Sequence, residues 1–292
     1  MSGGLAVRAN LLAVTWSSAR GHVFLFDLEA RQPVSSWTLP TPEGGYSDAA
    51  AVAMDDRFHL FVADTRNHCV CRFSVFGRHL GNVGRSLETA GDAHRDRPGV
   101  LHAPTAVAVY RDDLYVAGGD QPRRRSVQRF AREGRALGWL RSTGDPEAEF
   151  GAPRGIWADK QGVIVADTRC SRLQVFGPSD RFIASFDLDR RDGTARPVGV
   201  ARLEDGRLLV ADAGDCPGIR VLEAGGRDVT KEGAGQFAEH IEDPLAIALD
   251  EQGAIYVLDS GGERVQRFSA DLQFIDVVVN LSEHLDGIFG TP

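Results

Sequence analysis

The sequence predicts an all-β fold, a six-bladed β-propeller of four-stranded antiparallel blades, from three observations. The stretch Glu242 to Phe268, EDPLAIALDEQGAIYVLDSGGERVQRF, alternates short apolar runs with polar turns, as strands in a meander do. Imperfect copies of it recur along nearly the whole chain. The ends of their second strands, at Trp16, Asp64, Gly118, Asp167, Asp212 and Asp259, are spaced about 45 to 54 residues apart, the period of propeller blades. A single meander cannot bury both its faces, so each copy needs neighbours.

Composition agrees. The 292 residues, with 33 Gly and only 2 Met, suit one large β fold with many tight turns. No apolar run approaches the roughly 18 residues of a membrane span, so no membrane association is expected. The start, MSGGLAVRANLLAVTW, is interrupted by Arg8 and Asn10 and reads as the first two strands of a blade.

Blade one is the most diverged, with strands at Gly4–Val7, Leu11–Trp16, His22–Phe26 and near Val34–Trp37. Blade two has Ala51–Met54, Leu60–Thr65, Val70–Phe73 and a fourth strand before Gly84. A Gly- and charge-rich connection, Arg85 to Gly99, leads to blade three, with His102–Val109, Leu114–Ala117 and Val127–Phe130 and a second turn lengthened by Gln121–Arg125. Blade four has Pro153–Ala158, Val163–Thr168, Leu173–Phe176 and Phe182–Phe186. Blade five has Pro197–Ala201, Leu208–Asp212, Ile219–Leu222 and a weak fourth strand near Val229. In blade six Pro244 precedes Ala246–Leu249, followed by Ile255–Leu258, Val265–Phe268 and Phe274–Val279. One domain therefore divides into blades at about 1–40, 41–97, 98–145, 146–192, 193–237 and 238–292.

The pattern of Pro, a small residue, an alternating apolar run, Val-Ala-Asp-Thr and a basic-aromatic third strand, as in Val62 to Phe73, Val165 to Phe176 and Val257 to Phe268, resembles the NHL repeat. The resemblance covers nearly all of the chain and implies a six-bladed propeller. Trp16 in blade one and Gly118-Gly119 in blade three depart from it, where the Asp is missing.

The repeated residues read as structural. Small residues on the first strands (Ala51, Ala106, Gly155, Gly199, Ala246) fit the position where six strands converge on an axis. The Asp at 64, 167, 212 and 259 ends a strand, where its carboxylate can accept N–H bonds from the turn. Phe289–Pro292 resembles Phe150–Pro153 before blade four, so the ring is expected to close by packing blade six on blade one without exchanging a strand.

Alternating strand direction sorts the loops. Turns after first and third strands, such as Asp55-Asp56, Asp159–Gln161, Asp205-Gly206 and Asp250–Gly253, form a compact, polar, solvated face. Turns after second and fourth strands form the loop-rich face, where binding on repetitive scaffolds concentrates. Blades three and four bring Arg123, Arg124, Arg125, Arg154 and Arg169 to it; blades five and six bring Asp212, Asp215, Asp259, Glu239, Glu242, Asp243 and Glu263. An Arg cluster grips carboxylate or phosphate through paired hydrogen bonds. The expected partner is thus a protein or another anionic molecule, although an Arg-rich composition also scatters such clusters over solvated loops. Some NHL propellers bind single-stranded RNA, but the net charge of −8 and 8% aromatic content disfavour it here.

Two enzyme classes set the alternative, a metal-dependent hydrolase or lyase working at the central channel. Resemblance to peptidylglycine-amidating lyases implies three zinc-binding His near the starts of first strands; only His102 is so placed, and the matching positions hold Arg154, Val198 and Leu245. Lactonase-like hydrolases hold a divalent metal with acidic and Asn ligands, for which Asp48, Glu242 and Asp243 lie near the mouth. The channel-mouth candidates are therefore Asp48, His102, Arg154 and Asp243. The first reading assigns no catalytic residue, metal ligand or cofactor. Cys69 and Cys71 face one side of a strand, a weak metal signal and a poor disulfide geometry, and Cys170 and Cys216 fall in turns; reduced thiols and a cytoplasmic location are expected.

Overall fold

Each apolar run forms a strand, because Val, Ile, Leu and Phe at alternate positions can be buried on a pleated surface while Gly- and Asp-rich turns reverse the chain. The structure, a computed structural model, describes residues 3–17, 20–41, 45–86, 97–118, 127–140, 149–188, 193–230 and 241–285. Blade 1 is β1 (Gly3–Arg8), β2 (Leu11–Trp16), β3 (His22–Asp27) and β4 (Gln32–Thr38); blade 2 is β5 (Ala49–Met54), β6 (Leu60–Asp64), β7 (Cys69–Phe73) and β8 (His79–Val83). After β9 (Arg85–Ser86) and β10 (Val100–Leu101), blade 3 is β11 (Pro104–Tyr110), β12 (Asp113–Gly118), β13 (Val127–Ala131) and β14 (Ala136–Trp139). Blade 4 is β15 (Pro153–Asp159), β16 (Gly162–Asp167), β17 (Arg172–Phe176) and β18 (Phe182–Asp187). Blade 5 has β19 (Pro197–Arg202), β20 (Leu208–Asp212) and β21 (Gly218–Leu222), and its fourth strand is reduced to one bridge, Leu222 to Asp228, with Val229 N–H donating to the Val221 carbonyl at 2.9 Å. Blade 6 is β22 (Pro244–Leu249), β23 (Ile255–Asp259), β24 (Arg264–Phe268) and β25 (Phe274–Asn280).

Every sheet is an antiparallel meander in chain order, and the six together make an NHL-like propeller. The exception to the meander is the connection read from sequence as running Arg85 to Gly99. Its ends are tied by β9 and β10, which pair in parallel through Arg85–Val100 and Ser86–Leu101.

The core is a ring of wedges, because each hydrophobic cluster lies between two adjacent blades. Leu25, Val52, Val62 and Phe73 fill the wedge between blades 1 and 2; Phe61, Val107, Leu114 and Phe130 fill the next. The third-strand Phe explains its repetition. Phe73, Phe130, Phe176 and Phe268 are all fully buried and each packs on the preceding blade, where it excludes water between sheets. The Arg one residue before three of them points the other way, toward the following blade. Arg72 donates to the Arg132 carbonyl at 3.3 Å, Arg129 pairs with Asp180 at 2.6 Å, and Arg267 pairs with Asp276, which is shared with Arg31 of blade 1.

The ring closes by packing, without an exchanged strand among the described residues. Leu5, Leu12 and Val14 of blade 1 meet Tyr256, Leu258 and Val265 of blade 6, while Ala9 N–H and Arg8 both reach the Glu251 carboxylate. Phe289–Pro292 lies outside the described residues. Around the axis, the small residues stand where first strands converge, and Gly4 joins the five picked out from sequence. A Cβ at Gly4 would stand 2.5 Å from the Ala51 Cα, and one at Gly155 would stand 2.8 Å from the Val198 carbonyl oxygen. Larger side chains have no space there.

The face expected to be merely solvated is partly built of buried ion pairs. Asp55 is fully buried, accepts Arg57 and His59 N–H at 2.9 and 2.7 Å, and pairs at 3.3 Å with Arg132, which also reaches Asp56 and Asp112. Among the described residues no helix is long and apolar enough to cross a membrane.

Candidate functional site

A repeated irregularity builds the mouth of the central channel. In blades 2 to 6 the first strand slips register against the second between Ala49 and Ala51, Pro104 and Ala106, Pro153 and Gly155, Pro197 and Gly199, and Pro244 and Ala246. A bulge re-aims the extra residue. The residues so placed are Ala50, Thr105, Arg154, Val198 and Leu245, and all five line one cavity of roughly 280 Å³ on the loop-rich face, with Gly3 of blade 1 completing the ring. Five of the six are small or uncharged, so Arg154 is the charged member. Asp48 and Thr65 of blade 2, Arg196 and Ala213 of blade 5 and Asp243 of blade 6 form the outer rim. Below the mouth the channel narrows to a space of roughly 60 Å³ lined by first-strand residues.

Electrostatically the mouth is divided. Arg154 and Arg196 are exposed neighbours on blades 4 and 5, and among the described residues neither side chain makes an ion pair. Asp243 is held by the Ser260 hydroxyl, which donates to it at 2.6 Å. This division differs from the expected one. Asp212 and Asp259, assigned from sequence to an acidic surface over blades five and six, are fully buried, and Arg196 makes blade 5 a source of positive charge at the mouth.

Those buried carboxylates serve as staples. Asp167 Oδ1 accepts N–H bonds from Gly151 and Ala152 at 2.8 and 3.1 Å, and its Oδ2 faces Arg172 Nε at 3.2 Å and Gln174 Nε2 at 3.1 Å. Asp259 receives Glu242 and Asp243 N–H, with Arg264 and Gln266 on its other oxygen; Asp212 receives Arg196 and Gly214 N–H and pairs with Arg220. Asp167 and Asp259 thus pin the segment entering their own blades, while Asp212 and Asp64 bond both the entering segment and the turn that follows, at Gly214 and Asn67, and so each carboxylate holds the chain beside the channel-mouth bulge. The Thr after it is a second staple that sequence reading missed. Thr65 and Thr168 hydroxyls donate to the Pro104 and Pro197 carbonyls of the next blades at 2.7 and 2.6 Å. Blade 3 lacks the Asp-Thr pair because a Cβ at Gly118 would stand 2.7 Å from the Ala103 carbonyl oxygen, and there Thr105 supplies the same link, donating to the Pro153 carbonyl at 2.6 Å.

The remaining sequence candidates scatter. Arg169 is exposed on the loop-rich face, in the 3-10 turn Thr168–Cys170, but does not line the cavity. Arg123, Arg124 and Arg125 lie outside the described residues. His102 is exposed, stands off the cavity and stacks on His68 with ring centroids 5.1 Å apart; the mouth position of blade 3 belongs to Thr105. Asp48 donates its N–H to the Asp64 staple at 3.1 Å, which fixes its place on the rim. No cysteine is paired in a disulfide; burial, then Asp167 beside it, push the Cys170 thiol up, and its hydrogen bond to Cys69, then burial, push Cys71 well above the ordinary thiol value.

No family model matches the chain. The human NHL repeat-containing protein 3 is 24% identical over 258 residues, covering 80% of this chain and 68% of that protein. Among solved structures, streptogramin B lyase superposes with a TM-score of 0.60 at 13% identity, covering 95% of this chain and 84% of the lyase chain. A chain of a nidogen/laminin complex superposes with a TM-score of 0.62 at 15% identity, covering 91% and 92%. At such identities the two structures are alike in fold alone.

Proposed function

We propose that the chain, an NHL-like six-bladed β-propeller, is a non-catalytic binding platform whose loop-rich face captures an acidic segment of a protein partner at the channel mouth. The observation that carries this reading is the pair Arg154 and Arg196, both lining a cavity of roughly 280 Å³ with no carboxylate among the described residues paired to either. Arginines that serve the fold are paired: Arg132 with Asp55, Arg202 with Asp159, Arg220 with Asp212. A guanidinium left unpaired beside a concavity is free to donate two parallel hydrogen bonds to an incoming carboxylate. Arg169, exposed on the same face, extends the attraction outward, and the sequence assigns Arg123 to Arg125 to a loop of that face. Asp48 and Asp243 across the mouth select against a uniformly anionic strand, and with the net charge of −8 they disfavour RNA. We place the protein in a reducing, cytoplasmic compartment, which its unpaired cysteines support.

A metal-dependent hydrolase or lyase has less support. Among the described residues the mouth offers two carboxylates, short of the three protein ligands of a catalytic metal site and faced by two guanidinium groups, and the lyase likeness extends to fold only.

The test is fluorescence anisotropy with a labelled hexaglutamate peptide. Binding should weaken with salt and fall about tenfold in each of Arg154→Ala and Arg196→Ala, a change of about 1.4 kcal/mol apiece, while Arg57→Ala on the opposite face leaves it unchanged. Absent binding, or binding indifferent to Arg154 and Arg196, refutes the reading.

A further inference from the structure

Blade 2 breaks the rule that the other staples follow. In blades 4, 5 and 6 the buried carboxylate faces a guanidinium from the third strand, Arg172, Arg220 or Arg264. The position that pairs across the sheet with Asp167 and Asp259 is Arg172 and Arg264; the position opposite Asp64 is Cys69. The position two residues on, Gln174 and Gln266 in blades 4 and 6, is Cys71. Asp64 is as buried as the others, and it accepts Asp48 and Asn67 N–H at 3.1 and 3.2 Å and the Asn67 amide at 2.7 Å. Among the described residues no cationic side chain pairs with it. Where its sister blades put a positive charge, blade 2 puts two thiols.

We propose that Asp64, Cys69 and Cys71 form a site for a thiophilic divalent cation of the zinc class, which supplies the charge that arginine supplies in the other blades. The two Sγ atoms and a carboxylate oxygen all lie within 4.8 Å of one another, and all three residues are buried. A tetrahedral zinc with ordinary bonds holds such atoms about 3.6 to 3.8 Å apart, so the site closes with a contraction of about 1 Å or less. Binding releases the thiol protons to solvent and leaves two thiolates and a carboxylate around the ion. With three protein ligands, the fourth position of a tetrahedral ion is left to water. The site is separate from the channel mouth and does not depend on the reading given to it. Its role is to hold the segment from Asp48 to Asn67, and so one side of the rim.

The test is titration of cobalt(II), then zinc, into chelator-stripped, reduced protein. One equivalent of cobalt should give a thiolate-to-metal absorption band, zinc should displace it, and zinc should raise the urea midpoint. Cys69→Ser and Cys71→Ser should each weaken cobalt binding by more than about 100-fold, a larger effect than loss of an outer-sphere contact. The double variant Cys170→Ser/Cys216→Ser should bind as the parent does. Circular dichroism of both buried variants is recorded first; if they are unfolded, protection of two thiols from alkylation by one equivalent of zinc in the Cys170→Ser/Cys216→Ser protein decides. Lack of a thiolate band in that protein, or lack of protection, overturns the proposal.

Discussion

Replacing Asp167 by Asn is the sharpest test of the stapled-ring account. Asn keeps an acceptor for the Gly151 and Ala152 N–H groups but removes the charge facing Arg172, whose side chain is only 13% exposed. Breaking a buried pair by removing one partner costs about 3 to 5 kcal/mol. The Arg172 bond to the Glu149 carbonyl survives and offsets part of that, so about 3 kcal/mol is expected, a large share of the roughly 5 to 15 kcal/mol of a whole domain. Asp64→Asn provides the comparison, since Asp64 accepts matching N–H bonds without an arginine. In chelator and reductant it should cost about 1 kcal/mol, the size of an ordinary hydrogen-bond change. The measurement is urea unfolding followed by tryptophan fluorescence and circular dichroism, with equal slopes required before midpoints are compared. Equal losses for the two variants would refute the claim that arginine neutralisation, rather than the backbone bonds, makes the staple.

Other outcomes follow from the same geometry. Gly155→Ala should destabilise by about 1 to 3 kcal/mol through backbone collision, whereas Gly225→Ala, where a Cβ meets nothing within 4 Å, should be close to neutral in thermal melts. Arg132→Met should cost about 3 to 5 kcal/mol by stranding the buried Asp55, read as a lowered urea midpoint. Phe130→Ala should cost a similar amount by opening the wedge between blades 2 and 3. Burial, then Asp250, raise the Tyr256 phenol from 10.0 to about 12. The folded chain therefore holds a proton that the unfolded chain loses, so this contribution to stability is complete below pH 10 and is lost as pH rises toward 12; Tyr256→Phe should flatten that fall in melts across the same window.

Much of the candidate site could not be read before folding, for particular reasons. Arg154 is legible because it follows the blade-entry Pro153, but Arg196 sits before Pro197 and reads as connection; only a ring of six strands brings both to one cavity. His102 reads as a mouth residue because it lies near the start of a first strand, yet the bulge after Pro104 hands that position to Thr105. Asp212 and Asp259 looked like surface acids because strand ends are usually exposed. In this fold the chain entering each blade crosses above them and offers its N–H groups, which makes burial of the carboxylate favourable.

By itself the sequence determined the repeat: alternating apolar runs specify strands, their short turns specify meanders, and the period of the Asp marks the blades, because these are local properties of a few adjacent residues. Tertiary structure alone decided which carboxylates are buried, which arginines remain unpaired and which residues share the mouth. Those outcomes depend on residues far apart in sequence, brought together only when six wedges pack around an axis and each blade's charges meet the backbone of its neighbours.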